Sequence, residues 1–165
     1  MTPVSDLSLK DIQRIHIGEV TNWKAVRGDD IPIIAYQRPV NSGSQTGFID
    51  LVMKGRQPMG APSSHVIAGM GELIDTVAAY TDEPNGLGYS YYYYASEMWG
   101  NEKVKLLSID GVSPNNETIS SREYPIHTAY YAVFRKEEAQ NSDVRKIVSY
   151  ILSKDGQDLM EEAGY

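Results

Sequence analysis

The 165-residue chain contains no cysteine. That absence excludes disulfides, thiolate catalysis and cysteine-based zinc sites. No apolar run approaches the ~18 residues of a membrane-spanning helix. Positive charge is also short: 15 Lys and Arg stand against 22 Asp and Glu, a formal net charge of −7. Without a basic stripe to release counterions, nucleic acid is excluded as the expected partner. There is no glycine-rich nucleotide fingerprint, no internal repeat and no low-complexity segment. Gly43-Ser44-Gln45-Thr46-Gly47 puts Gln45 where a Gly-x-Ser-x-Gly nucleophile elbow requires serine. His16, His65 and His127 are scattered, and pairs such as Asp29-Asp30 and Glu137-Glu138 read as solvated charges. No catalytic residue, metal ligand or cofactor is assigned.

What is present is ordinary globular composition, 41% hydrophobic and 22% charged, enough for one good core. Ser8-Leu9-Lys10-Asp11 resembles a capping box, with Asp in place of Glu or Gln. Leu9, Ile12 and Ile15 then line one helix face, and Gly18 ends that helix. Thr21-Asn22-Trp23 is a turn expected to bury Trp23. Residues 31–36 read as a strand, 44–54 as a helix, and 55–62 as an irregular Pro/Gly-rich loop. Met70, Leu73, Ile74 and Val77 mark a stronger helix. Residues 86–91 read as a short strand, 104–109 as another, 114–118 as a short helix or turn, and 126–134 as a strand. From Asp143, a helix carries Val144, Ile147, Val148, Ile151 and Leu152 on one face until Gly156 interrupts it. Strands alternating with helices predict the α/β class. Tyr91 to Tyr94 form a run of four tyrosines. Such a run could stack bases or sugars, but the sparse positive charge favours rings packed in a core with their hydroxyls hydrogen-bonded.

The most informative stretch runs from Tyr36 to Thr46: strand, tight polar loop, helix start. Gly43 permits close backbone approach or positive φ. Ser42, Ser44 and Thr46 bring hydroxyls to a helix N-terminus with unpaired N–H groups. Arg38 adds a planar fork of donors. This donor-rich, singly positive loop suits a small oxyanion. Spacing alone leaves a second reading open, in which a serine merely caps the helix and Arg38 pairs with a surface carboxylate.

Tyr36-Gln37-Arg38-Pro39 followed by Asn41-Ser42-Gly43-Ser44-Gln45-Thr46 resembles the second-lobe motif of the phosphate-binding proteins of ABC phosphate importers. Further stretches agree in family order: Pro3-Val4 with Leu7-Ser8, Gly18-Glu19-Val20-Thr21-Asn22-Trp23, Gly69-Met70-Gly71, Gly86-Leu87-Gly88-Tyr89-Ser90, Ile109-Asp110-Gly111-Val112, Tyr124-Pro125-Ile126 and Ser153-Lys154-Asp155-Gly156-Gln157. The resemblance covers almost the whole chain.

It implies an α/β periplasmic-binding-protein-like lobe with a central mixed sheet flanked by helices. Residues 1–125 correspond to the second, anion-binding lobe. Residues 126–165 correspond to a return strand and C-terminal helices that pack on a first lobe in the family. The implied function is non-catalytic binding of inorganic phosphate for an ABC permease, outside the cytoplasm. By this resemblance Arg38 is the charged clamp, Ser42 and Ser44 are hydroxyl donors and Gly43 is a backbone donor, with Asn41 and Gln45 as neighbours. The family's first-lobe ligands, including a carboxylate that accepts a proton from phosphate, have no counterpart here. Where some relatives orient the arginine with an Asp two residues later, this chain has Val40, so Arg38 needs another partner or is freer. The sequence carries no signal peptide or lipid-attachment cysteine. Because the family is exported, the expectation is that such a segment was removed or that the chain is a short form. The apolar helix face at 144–152 must be buried, either on the lobe or against a second copy as a homodimer. The rival reading is an interaction or sensory module that kept the lobe fold without transport.

Overall fold

A computed structural model of the chain describes residues 4–79 and 85–163. It divides into two units, Met1–His127 and Thr128–Tyr165.

The first unit is α/β. Strand β1 (Asp6–Leu7) pairs in parallel with β4 (Ser108–Ile109), and β2 (Ile34–Ala35) pairs in parallel with β3 (Gly86–Leu87). The expected mixed sheet is therefore two short parallel pairs, and the antiparallel contacts are isolated bridges such as Asn22 with Pro32. The run at 31–36 yields only two strand residues because its start is bound elsewhere. Ile31 O accepts from Trp23 N–H, Ile33 N–H donates to Thr21 O, and Pro32 has no N–H to give.

Helix α1 (Leu9–His16) starts at Ser8, whose Oγ accepts from Asp11 N–H at 3.0 Å. The Asp11 carboxylate accepts the Ser8 hydroxyl proton at 2.7 Å, so the reciprocal half of the box runs side chain to side chain. Gly18 ends the helix at φ +81°, where a Cβ is unfavourable. Trp23 is wholly buried, as expected, and its Nε1 donates to Asn85 O at 3.2 Å. Around it gather Val4, Leu7, Ile15, Val20, Val26 and Ala35. A second cluster, Phe48, Val52 and Met53, lies under helix α2 (Gly43–Leu51). Helix α3 (Met70–Ala79) buries Leu73, Ile74 and Ala78.

Residues 92–98 turn helical, closing in a π-helical turn at Tyr94–Met98. None of the four tyrosines is fully buried, which corrects the core-packing expectation. Tyr91 is exposed, and its hydroxyl donates to Gly43 O at 3.3 Å. The short helix α4 (Asn116–Ser120) is capped by Asn115, with Thr118 closing a true capping box.

In the second unit, helix α5 (Asp143–Ile151) and helix α6 (Lys154–Glu162) are separate. The break lies at Leu152–Ser153, where Ser153 caps α6, and not at Gly156. Gly156 sits inside α6 against α5, where an added Cβ would stand 2.0 Å from Tyr150 O. The expected strand at 126–134 is not formed among the described residues: Tyr131 is 81% and Val133 91% exposed. Val144, Ile147 and Leu152 are likewise exposed, so the described residues of the second unit do not by themselves bury this face. No described helix is long and apolar enough to cross a membrane.

His16 is 1% exposed beneath α2, with its ring 4.5 Å from that of Phe48. Its Nδ1 lies 3.0 Å from Ile12 O, and its Nε2 has no partner among the described residues. Burial pushes its pKa down to about 4 from 6.5, against the opposing effect of the Ile12 carbonyl. The unfolded chain therefore binds the extra proton between these values. This contribution is fully present above pH 6.5 and is lost as pH falls toward 4. The expected outcome is a loss of about 2 kcal/mol between pH 7 and 5 in urea denaturation. In His16→Phe that dependence disappears; its persistence would show that another group carries it.

Candidate anion-binding site

Strand β2 delivers the chain to Arg38 by way of two further bonds. Tyr36 N–H donates to Leu87 O and Gln37 N–H to His65 O, both at 2.9 Å. Gln37 is buried, and its Nε2 donates to Met59 O at 2.8 Å. The chain then turns at Pro39, whose carbonyl accepts from Ser42 N–H at 2.9 Å, and enters α2.

The Arg38 side chain is held by neutral acceptors. Its Nε donates to Ser44 Oγ at 3.1 Å, and its Nη1 donates to Ile67 O at 3.0 Å and to Ala68 O. Among the described residues Nη2 has no acceptor and no carboxylate pairs with the guanidinium. The surface-carboxylate alternative is therefore not realised. Val40 is 80% exposed, and the carbonyls of residues 67 and 68 orient Arg38 instead.

Ser42 is the N-cap of α2, with Oγ accepting from Gln45 N–H at 3.2 Å. That use leaves its hydroxyl proton available. The N–H groups of Gly43 and Ser44 have no acceptor among the described residues, as befits the first turn of a helix. Gly43 does not take positive φ, and a Cβ there would meet nothing within 4 Å, so its outer side is open space. Ser44 is 7% exposed, and its Oγ accepts from Arg38, again leaving a hydroxyl proton. Asn41 is exposed at the turn. Gln45 is 4% exposed, and its Oε1 accepts from Arg38 N–H at 3.0 Å and from the Tyr89 hydroxyl.

Tyr89 was not legible as a site residue. Its ring stacks on Phe48 at 4.1 Å, and its Oη accepts from Arg38 N–H at 3.0 Å. Burial pushes the phenol up to about 12, against the pull of the Arg38 N–H and charge. The hydroxyl therefore stays protonated and serves as donor to Gln45. The available signal was its place in Gly86-Leu87-Gly88-Tyr89-Ser90, but nothing local says that its hydroxyl reaches 51 residues back. The Ile67 and Ala68 carbonyls were equally hidden, in a loop just before Gly69-Met70-Gly71.

The arrangement offers hydrogen-bond donors and one positive charge, with no carboxylate at the loop. Among the described residues no group of His, Asp and Glu is set to hold a metal ion.

The family described as "PBP superfamily domain" matches residues 2–155. The chain belongs to this family. It is 29% identical over 163 residues to the phosphate-binding protein PstS of Bacillus subtilis, covering 98% of this chain and 50% of that relative. The crystal structure of PstS from Borrelia burgdorferi superposes with a TM-score of 0.70 at 26% identity, over 98% of this chain and 63% of that one. An ABC-type phosphate transport receptor from Vibrio cholerae shares the fold, with a TM-score of 0.75 at 20% identity over 99% of this chain and 64% of that one. The periplasmic-binding-protein-like α/β fold expected from the sequence is thus the fold observed. The chain spans about half the length of the curated relative it matches.

Because the Ser42 side chain caps α2, Ser42→Ala is expected to cost about 1 kcal/mol of stability and Ser42→Gly a few tenths. Urea denaturation of the two variants checks this; equal losses would mean the cap bond is not what Ser42 contributes.

Proposed function

We propose that this chain is the anion-capturing lobe of a solute receptor for an ABC phosphate transporter, working outside the cytoplasm and without covalent chemistry. One observation carries the reading: among the described residues, Arg38 is oriented entirely by neutral acceptors, beside a helix N-terminus whose donors lack acceptors. The phosphate-binding relatives support it. Arg38 Nη2, the Ser42 and Ser44 hydroxyls and the Gly43 and Ser44 N–H groups hold the anion, with Asn41 and Gln45 beside them. A sensory module without ligand would have no need of an arginine kept free of carboxylates. Residues 1–125 form the capturing lobe. Residues 126–165 form the return segment, whose exposed Val144, Ile147 and Leu152 are covered by a first lobe in the whole receptor. Cleft closure there presents phosphate to the permease.

Half a site binds weakly, because its bonds compete with water and are screened by salt. Calorimetry at low salt is expected to give phosphate binding near 1 mM, about −4 kcal/mol. Arg38→Ala abolishes the heat. Micromolar binding would show that the site is complete in this chain, and no heat at all would overturn the anion-capture reading.

In the isolated chain a second copy covers the exposed helix face. Light scattering is expected to show a concentration-dependent dimer, and a clean monomer at every concentration overturns this.

A further inference from the structure

We infer that Gln45 touches the anion through its side-chain amide and leaves this lobe indifferent to whether the anion carries a proton, with Tyr89 as the positioning residue that fixes the amide's orientation. This rests on the anion-capture reading above. The orientation follows from donor logic. A backbone N–H can only donate, so the Gln45 atom 3.0 Å from Arg38 N must be the carbonyl oxygen. The Tyr89 hydroxyl accepts from the same N–H and donates to the same oxygen. The amide cannot flip without setting its N–H groups against the N–H of Arg38. Nε2 is thereby turned to the other side, and among the described residues it has no acceptor, although Gln45 is only 4% exposed. Those N–H groups are therefore left to meet solvent or a bound anion. The residues just before it, Ser42, Gly43 and Ser44, carry the other unpaired donors, and all share the first turn of α2. An anion at that turn accepts from Nε2 as well.

The chemical consequence is selectivity. An amide N–H meets a bare oxygen of sulfate or phosphate equally well. A carboxylate at the same place would repel a bare oxygen but accept the proton that phosphate carries. With Gln45 the lobe does not discriminate between the two anions.

The test is calorimetry at pH 8 with sulfate and with phosphate, where both are divalent but only phosphate holds a proton. Wild type is expected to bind the two within threefold of each other. Gln45→Glu keeps an oxygen acceptor for Arg38 N–H and Tyr89, and changes what faces the anion. It is expected to weaken sulfate at least tenfold more than phosphate. A glutamate that does not touch the anion repels two divalent ions alike, so equal losses, or none, overturn the inference while leaving anion capture standing. Binding of neither anion by wild type overturns both. Tyr89→Phe is expected to weaken both anions severalfold without changing their ratio; an unchanged affinity overturns the positioning role. A measurement on the unaltered chain stands beside the variants. The Gln45 side-chain amide signals in a nitrogen–proton correlation spectrum are expected to shift along the sulfate titration. Stationary signals overturn the contact.

Discussion

Among the described residues, the guanidinium of Arg38 is tethered by dipoles and by nothing charged. Ser44 Oγ and the carbonyls of Ile67 and Ala68 occupy Nε and Nη1, and these neutral acceptors fix its direction without neutralising it. A carboxylate in their place would hold the group as firmly but cancel the field that draws an anion. In a chain of net charge −7 that distinction matters for the proposed anion capture, in which one local cation and a helix N-terminus act against the overall sign. The tether also explains the assembly around it. Strand β2 presents the arginine, α2 presents Ser44, and the loop before α3 presents the carbonyls. Displacing any one of the three would loosen the donor fork.

Beneath the polar loop lies an aromatic floor. Phe48 of α2 stacks on Tyr89, and His16 of α1 leans against Phe48. Burial here keeps both titratable rings neutral, the imidazole deprotonated and the phenol protonated. Neutrality suits their tasks. Tyr89 must accept from one N–H and donate to one carbonyl at once, which only the protonated phenol can do. The floor thus ties the hydrophobic seating of α2 to the hydrogen-bond pattern at its first turn. A shift in packing at Phe48 would be felt at Arg38 through Tyr89.

The second unit follows a different logic. Its helices are well begun, by Ser142 and Ser153, and its hairpin is tight enough that Gly156 has no room for a Cβ. Yet much of its apolar surface is exposed. Local signals suffice to shape α5 and α6, whereas their burial depends on surface that this unit does not itself provide.

By itself the amino-acid sequence determined the elements whose causes are local. Ser8, Ser42 and Ser142 begin helices, Gly18 ends one, the 3.6-residue pattern at 70–77 makes α3, and Trp23 anchors the core. The donor-rich loop at 38–45 was legible as a candidate site for the same reason: its hydroxyls, glycine and arginine lie within one turn and one helix start. Strand lengths were misjudged at 31–36, 86–91, 104–109 and 126–134, because a strand exists only where a distant segment offers a ladder. The tyrosine run misled because aromatic content does not say which face a helix turns to solvent. Tertiary structure alone decided what Arg38 leans on and how Gln45 is turned. The Ile67 and Ala68 carbonyls and the Tyr89 hydroxyl come from residues 29, 30 and 51 positions away. Backbone carbonyls carry no mark in a sequence, and only the folded chain brings them within hydrogen-bonding distance.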